Sequence, residues 1–348
     1  MSSVMTPVTH PVRLTERINR IEPSSTMAAA AEAEKLRQQG IDIVDVTAGE
    51  PHFSTPQHVK DAAIAAINNN FSKYTAVGGT LELKDAIIKR HATDFGSAYK
   101  REEVAASVGG KHALFNVISV LIDHGDEVIL PVPYWVSFKD MVRYVGGNCV
   151  LLNADESQGF RVTAQMVERL ITPKTKLIIL NSPSNPSGAV MSPADMTEVV
   201  RLAHERGIWV ISDECYVYLN YTDKNFSVGS LTEYRDRFLV VGSLSKTYAM
   251  TGWRLGFGAG PAELIRAMAK IQIQATANPS SISPAAATAA LAGPQDFVPQ
   301  RCAEFERRRD RIVPLLNAIP GLSCEKPEGA FYVYVSCAGW IGKRTPSG

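Results

Sequence analysis

Residues 240–257 read VVGSLSKTYAMTGWRLGF. The apolar run 238–242 (FLVVG) has the length and composition of a buried strand, and it opens directly into Ser243, Ser245 and Lys246, with Arg254 eight residues after the lysine. Taken alone, such a junction is an ordinary helix cap beside a solvated lysine. Three other junctions of the same kind change its weight.

The run 176–181 opens into NSPSNPSG, which carries Asn181, Asn185, Pro186 and Gly188. The run 208–212 opens into Asp213 and Tyr216. A strand near 104–108 opens into GGKHAL, a glycine-rich helix entry with Gly110 and Lys111. Each has a plain local reading, as turn former, cap or tight packing. Near-continuous apolar strands alternating with helices predict a mostly parallel sheet covered on both faces. Ligands of such sheets bind beyond the carboxyl ends of the strands, where all four junctions fall.

Further strands are predicted at 41–47, 127–131 and 254–260. Helices are predicted at 24–39, 56–69, 80–94, 112–122, 193–206, 261–273 and 300–317. The chain has 348 residues, 45% of them hydrophobic, enough for two domains or one large domain with an appendage. Thirty-six Lys and Arg balance 35 Asp and Glu, which disfavours nucleic acid and anionic membranes as partners. Five scattered cysteines without a C-x-x-C pair, and seven histidines without an H-x-x-x-H, predict neither a disulfide framework nor a metal site. No apolar run reaches membrane-spanning length and the first residues carry no apolar signal core, so a cytoplasmic location is expected.

The set at the strand ends matches the needs of pyridoxal 5'-phosphate. Its aldehyde takes a lysine, its pyridine nitrogen a carboxylate that keeps the ring an electron sink, and its phenolic oxygen a hydroxyl or amide. Its phosphate takes helix-start amides, hydroxyls and an arginine.

The segments SLSKTYAMTGWRLGF, NSPSNPSG, SDECY, TAGEPHFSTP, GGKHALFN and PYWVSF together make the chain resemble the class I aminotransferases of fold type I, especially the bacterial aspartate/prephenate subgroup. The resemblance covers nearly the whole chain. It implies an α/β fold with a seven-stranded, mostly parallel mixed sheet in a large domain (46–290), and a smaller domain from 1–45 and 291–348. It implies a Schiff-base role for Lys246, Asp213 at the pyridine nitrogen, Tyr216 and Asn185 at the phenolic oxygen, and Trp135 against the ring. Gly110, Lys111, Ser243, Ser245 and Arg254 would hold the phosphate, joined by Tyr74 from the partner subunit of a homodimer. Gly49, Trp135 and Asn185 would meet the substrate, with Lys111 and Thr26 gripping an acidic side chain. The substrates implied are aspartate, glutamate and their oxo acids, with prephenate as a further acceptor. The alternative readings are a lyase or synthase on the same site, or a chain that binds the cofactor but is catalytically incomplete. Family chains continue beyond GAFYVYV to an arginine that clamps the α-carboxylate. GKRTPSG, with Arg344, does not match that motif, so the reading is of a C-terminally truncated chain.

Overall fold

The structure, a computed structural model, describes residues 12–23, 25–47, 49–222 and 225–344, with the backbone alone at 25–27. Seven strands form one sheet: β1 (Val104–Ser107), β2 (Glu127–Val132), β3 (Asn148–Asn153), β4 (Thr175–Asn181), β5 (Trp209–Asp213), β6 (Phe238–Ser243) and β7 (Gly256–Ala259). Their order across the sheet is β1-β7-β6-β5-β4-β2-β3. β7 runs antiparallel to both neighbours, β1 and β6, and the other pairings are parallel.

The central strands are near-continuous apolar runs because both faces are covered, whereas at the edge β3 leaves Asn148, Leu151 and Asn153 exposed. Alternate residues of one strand enter opposite cores: Phe238 and Val240 pack on one side, Leu239 and Val241 on the other. Helices Leu81–Phe95, Pro193–Glu205 and Ile282–Ala292 serve the first core, and Gly110–Leu121, Ser137–Val145 and Ala262–Ala275 the second. Local signals set their ends. The Thr80 hydroxyl accepts the Leu83 amide at one helix start, and Gly96 closes that helix at φ +73°. Ser192 caps the helix that begins at Pro193.

Two expectations are corrected. Residues 41–47 form no strand; Val44 and Val46 are exposed, so the alternation has no sheet to join. The strand expected at 254–260 is only Gly256–Ala259, because Arg254 takes a left-handed backbone (φ +54°) that no strand allows. The sequence reading also passed over β3, helix Ser137–Val145 and helix Ile282–Ala292. The last is mostly Ala, which gives little periodicity, yet it is buried against helices Gln57–Asn68 and Leu81–Phe95.

After the long helix Phe297–Asn317, residues 327–332 return to the sheet. The Tyr221 amide donates to the Glu328 carbonyl (2.8 Å), and the Ala330 amide to the Leu219 carbonyl (2.7 Å). These bonds bring Phe331 and Tyr332 against the residues that follow β5.

Candidate active site

The parallel register puts the strand ends level. Asn181, last in β4, lies beside Asp213, last in β5. On the far side of β6, Ser243 faces Gly256 across the antiparallel pair, and Gly256 in turn faces Ser107 of β1. Because β7 enters the sheet here rather than leaving it, Arg254 just before it joins residues that follow parallel strands.

A cavity of about 470 Å³ opens along this edge. Eleven of the expected site residues line it: Gly49, Gly110, Lys111, Trp135, Asn185, Asp213, Tyr216, Ser243, Ser245, Lys246 and Arg254. Tyr74 does not; its side chain is 92% exposed. The side chain of Thr26 lies outside the described residues; its backbone belongs to helix Ser25–Gln38. Thr47, Asn181, Cys215, Thr251 and Tyr332 also line the cavity without having been assigned a role from the sequence.

Asp213 is 6% exposed. Burial pushes its pKa up to about 7, against the pull of the Cys215 amide, which donates to Oδ1 at 3.1 Å, and of the Lys246 charge. Lys246 is driven the other way: burial first, and then Arg254, lower its pKa, while Cys215, Glu50 and Asp213 oppose the shift. Its Nζ donates to the Gly49 carbonyl and sits 5.6 Å from the Phe331 ring centre.

Asn181 organises the region between strands. Its side-chain amide donates to the Asp213 carbonyl (3.0 Å), and its Oδ1 accepts the Asn185 backbone amide (2.7 Å). The Tyr216 and Tyr332 hydroxyls meet at 2.7 Å. Burial raises the pKa of both, that of Tyr332 to about 12, so both are neutral phenols at ordinary pH. A Cβ at Gly49 would run into the Tyr332 hydroxyl, which explains the need for glycine there.

An anion cradle forms at the start of helix Gly110–Leu121, where the first amides of a helix have no partner within it. Gly109 precedes it at φ +83° with the Arg254 guanidinium against its α-carbon; a Cβ there would sit 2.7 Å from Nη2. Arg254 Nη1 is steadied by the Thr251 carbonyl (2.8 Å), and the Ser243 Oγ accepts the Ser245 amide (3.2 Å). A Cβ at Gly256 would strike the Gly110 amide, so β7 passes as close to the cradle as glycine allows. Lys111 Nζ lies 4.6 Å from the Trp135 ring centre. Burial and then Arg254 lower the pKa of Lys111.

The segment that carries Gly49 is tied to the loop that carries Lys246. The Thr55 hydroxyl donates to the Ala249 carbonyl (2.7 Å), and the Trp253 indole N–H donates to the Thr55 Oγ1 (3.1 Å). Arg301, on the long helix, donates to the carbonyls of Ser54 (2.6 Å) and Thr247 (3.4 Å).

The donor set fits pyridoxal phosphate on its own terms. It combines a buried carboxylate that favours a cationic partner, a lysine with a depressed pKa, and an anion cradle backed by a planar guanidinium. Among the described residues no group of His, Cys, Asp and Glu could hold a metal ion, and no helix is long and apolar enough to cross a membrane.

Comparison with known proteins agrees. Residues 41–340 match the family profile of aminotransferase class I and II. The chain is 47% identical over 335 residues to an aspartate aminotransferase of Rhizobium meliloti, covering 95% of this chain and 82% of that protein. It is 44% identical to an aspartate/prephenate aminotransferase of Cereibacter sphaeroides, covering 96% and 84%. Among solved structures, the aspartate aminotransferase of Rhizobium meliloti superposes with a TM-score of 0.93 at 45% identity, covering 97% of this chain and 85% of that one. The Thermus thermophilus aspartate aminotransferase with maleate gives 0.90 at 40% identity, covering 93% and 85%. Fold, cavity and relatives agree that this chain belongs to the class I and II aminotransferases.

Proposed function

We propose that the enzyme exchanges amino groups between acidic amino acids and their 2-oxo acids, with aspartate and glutamate as donors, oxaloacetate and 2-oxoglutarate as acceptors, and prephenate as a further acceptor. The observation that carries this reading is the meeting of Lys246, Asp213 and the Arg254 cradle in one cavity. Relatives named aspartate and aspartate/prephenate aminotransferases support the substrate class.

Pyridoxal phosphate, when bound, supplies the electron sink for the exchange. Lys246 is the group that holds the cofactor covalently and moves the proton at the substrate α-carbon. Its depressed pKa leaves more of the neutral amine that such work requires. Asp213 would keep the ring nitrogen protonated. Asn185 and Tyr216 would hold the phenolic oxygen, with Tyr332 orienting Tyr216. Gly110 and Lys111 amides, Ser243, Ser245 and Arg254 would bind the phosphate, and Trp135 would pack against the ring. Gly49, Trp135 and Asn185 bound the substrate. Lys111 and Thr26 select an acidic side chain; the helix dipole disfavours a lysine at this position, which supports an anion beside it.

The active unit is a homodimer in which Tyr74 of one protomer completes the phosphate site of the other. Its exposure supports this, as do the exposed Ile64, Ile67 and Phe71 close to it in the chain. The large domain comprises 46–290, and the smaller one 1–45 with 291–348.

The test is an absorbance spectrum of the chain with pyridoxal phosphate, first alone and then with aspartate. A visible band that disappears with aspartate and returns with 2-oxoglutarate supports transamination. A band that aspartate leaves unchanged removes the substrate assignment, and no band removes the role of Lys246.

A further inference from the structure

Behind the active-site cavity lies a second, much smaller one of about 30 Å³, and Cys215 and Ser243 form the wall between them. His91, on helix Leu81–Phe95, and Glu214, the residue after Asp213, both line it. Both side chains are more than nine-tenths buried. His91 Nδ1 and Glu214 Oε2 each have no hydrogen-bond partner. A buried polar atom left bare costs about 1–3 kcal/mol, so two such atoms on residues that line one cavity call for an occupant.

The two carboxyl oxygens of Glu214 are unequal. Oε1 accepts the Ser212 hydroxyl (2.9 Å) and the Val228 amide (3.0 Å), whereas Oε2 accepts nothing. The Ser212 and Val228 bonds both fall on Oε1, which leaves Oε2 the oxygen free to carry a proton and donate it. We propose that this cavity holds ordered water that accepts from Glu214 Oε2 and donates to His91 Nδ1, with Glu214 as a neutral acid. The volume suits about two waters, at ~10–15 Å³ each.

The surroundings agree. Arg90 also lines the cavity, but its guanidinium is committed to Asp94 (3.2 Å) and the Leu291 carbonyl (3.1 Å). Tyr218 donates to Asp94, and Tyr248 donates to Gln295. The Tyr99 hydroxyl is also buried and bare, and the Glu214 charge adds to burial in raising its pKa. Burial, with the Asp213 charge adding to it, raises the pKa of Glu214 to about 7, against the pull of Ser227, Ser212 and the Val228 amide. Burial alone holds His91 down to about 4, so it offers a lone pair rather than a charge. The consequence, which rests on Asp213 serving the cofactor ring, is that a neutral Glu214 leaves Asp213 the one anion at the end of β5. Glu214 is thus a positioning residue: it sets the charge opposite the ring without touching it.

The test has two arms on the cofactor-loaded protein at pH 6. The first is the infrared difference spectrum between wild type and Glu214→Gln, with Asp213→Asn as a second background. A protonated-carboxyl band lost in Glu214→Gln and retained in Asp213→Asn is the expected result; a band absent from wild type overturns the neutral acid. The second is the electron density of wild type, which needs no variant to fold. Water within hydrogen-bond reach of both His91 Nδ1 and Glu214 Oε2 is expected, and a dry cavity overturns the site. Failure of the aminotransferase reading appears elsewhere, as a missing visible band in wild type.

Discussion

The hydroxyls of Tyr216 and Tyr332 meet at 2.7 Å although 116 residues separate them in the chain. Tyr216 follows β5 in the sheet, and Tyr332 belongs to the segment that returns after the long helix. The contact therefore joins the segment after β5 to the segment after the long helix at the cavity. Replacing Tyr332 with Phe removes one neutral hydrogen bond, worth about 1 kcal/mol. We expect kcat/KM to fall by about fivefold with the cofactor band retained, as measured by steady-state kinetics beside an absorbance spectrum. An unchanged kcat/KM would show that Tyr332 does not orient Tyr216.

Lys246 is the proton-moving group in the proposed function. Lys246→Ala should abolish the covalent visible band while pyridoxal phosphate still binds through the cradle. The turnover rate should drop by at least about 10²–10⁴, the usual contribution of a positioned acid–base group. Stopped-flow absorbance with aspartate checks this; a variant retaining near-wild-type half-reaction rates would remove Lys246 from the mechanism.

Asp213 and Glu214 both have raised pKa values in the folded chain, each to about 7. Between the ordinary carboxyl range and pH 7 the folded state holds protons that the unfolded state has released. Stability of the cofactor-free protein should therefore fall as pH rises through that window. The slope is on the order of 1.4 kcal/mol per pH unit for each carboxyl that stays protonated. Adding pyridoxal phosphate supplies Asp213 with a cationic partner, so the slope should flatten. Denaturant unfolding at a series of pH values measures both, and stability that instead rises across the window contradicts the burial argument.

Gly256 passes so close to the Gly110 amide that even a methyl group does not fit. Gly256→Ala should cost ~1–3 kcal/mol, as overpacking does, and should weaken phosphate binding because β7 must move off the cradle. Thermal melts with and without pyridoxal phosphate separate the two effects. A variant that keeps both stability and cofactor affinity would mean the cradle yields easily.

Lys111 Nζ lies over the Trp135 ring, and both residues line the cavity. Lys111→Ala should raise KM for aspartate and glutamate by roughly 10- to 100-fold, the loss of a charge-assisted hydrogen bond of ~1.5–3 kcal/mol. Activity toward aromatic amino acids should survive. Equal losses on acidic and aromatic substrates would instead place Lys111 in general support of the cofactor.

What could be read from the chain was what local chemistry announces. Lys246, Asp213 and Asn185 follow apolar strands directly, so their residue types and positions pointed to one sheet edge. Arg254 reaches the same edge only because β7 is antiparallel, a fact of pairing that no local run expresses. Tyr332 was hidden because its place depends on backbone bonds from its segment to Leu219 and Tyr221, far away in sequence. The small cavity behind Asp213 was equally silent, since His91 reads as an ordinary helix residue. The segment 41–47 misled in the opposite direction: alternation marks a strand only where a neighbouring strand exists to receive it.

The register pair Ser243–Gly256 has one more meaning. The loop bearing both Lys246 and Arg254 departs from and returns to a single point of the sheet, like the bail of a bucket. Leu244, Tyr248, Met250 and Leu255 of this loop are buried in the core beneath it, so the spacing between amine and guanidinium is anchored by the same packing that holds the sheet.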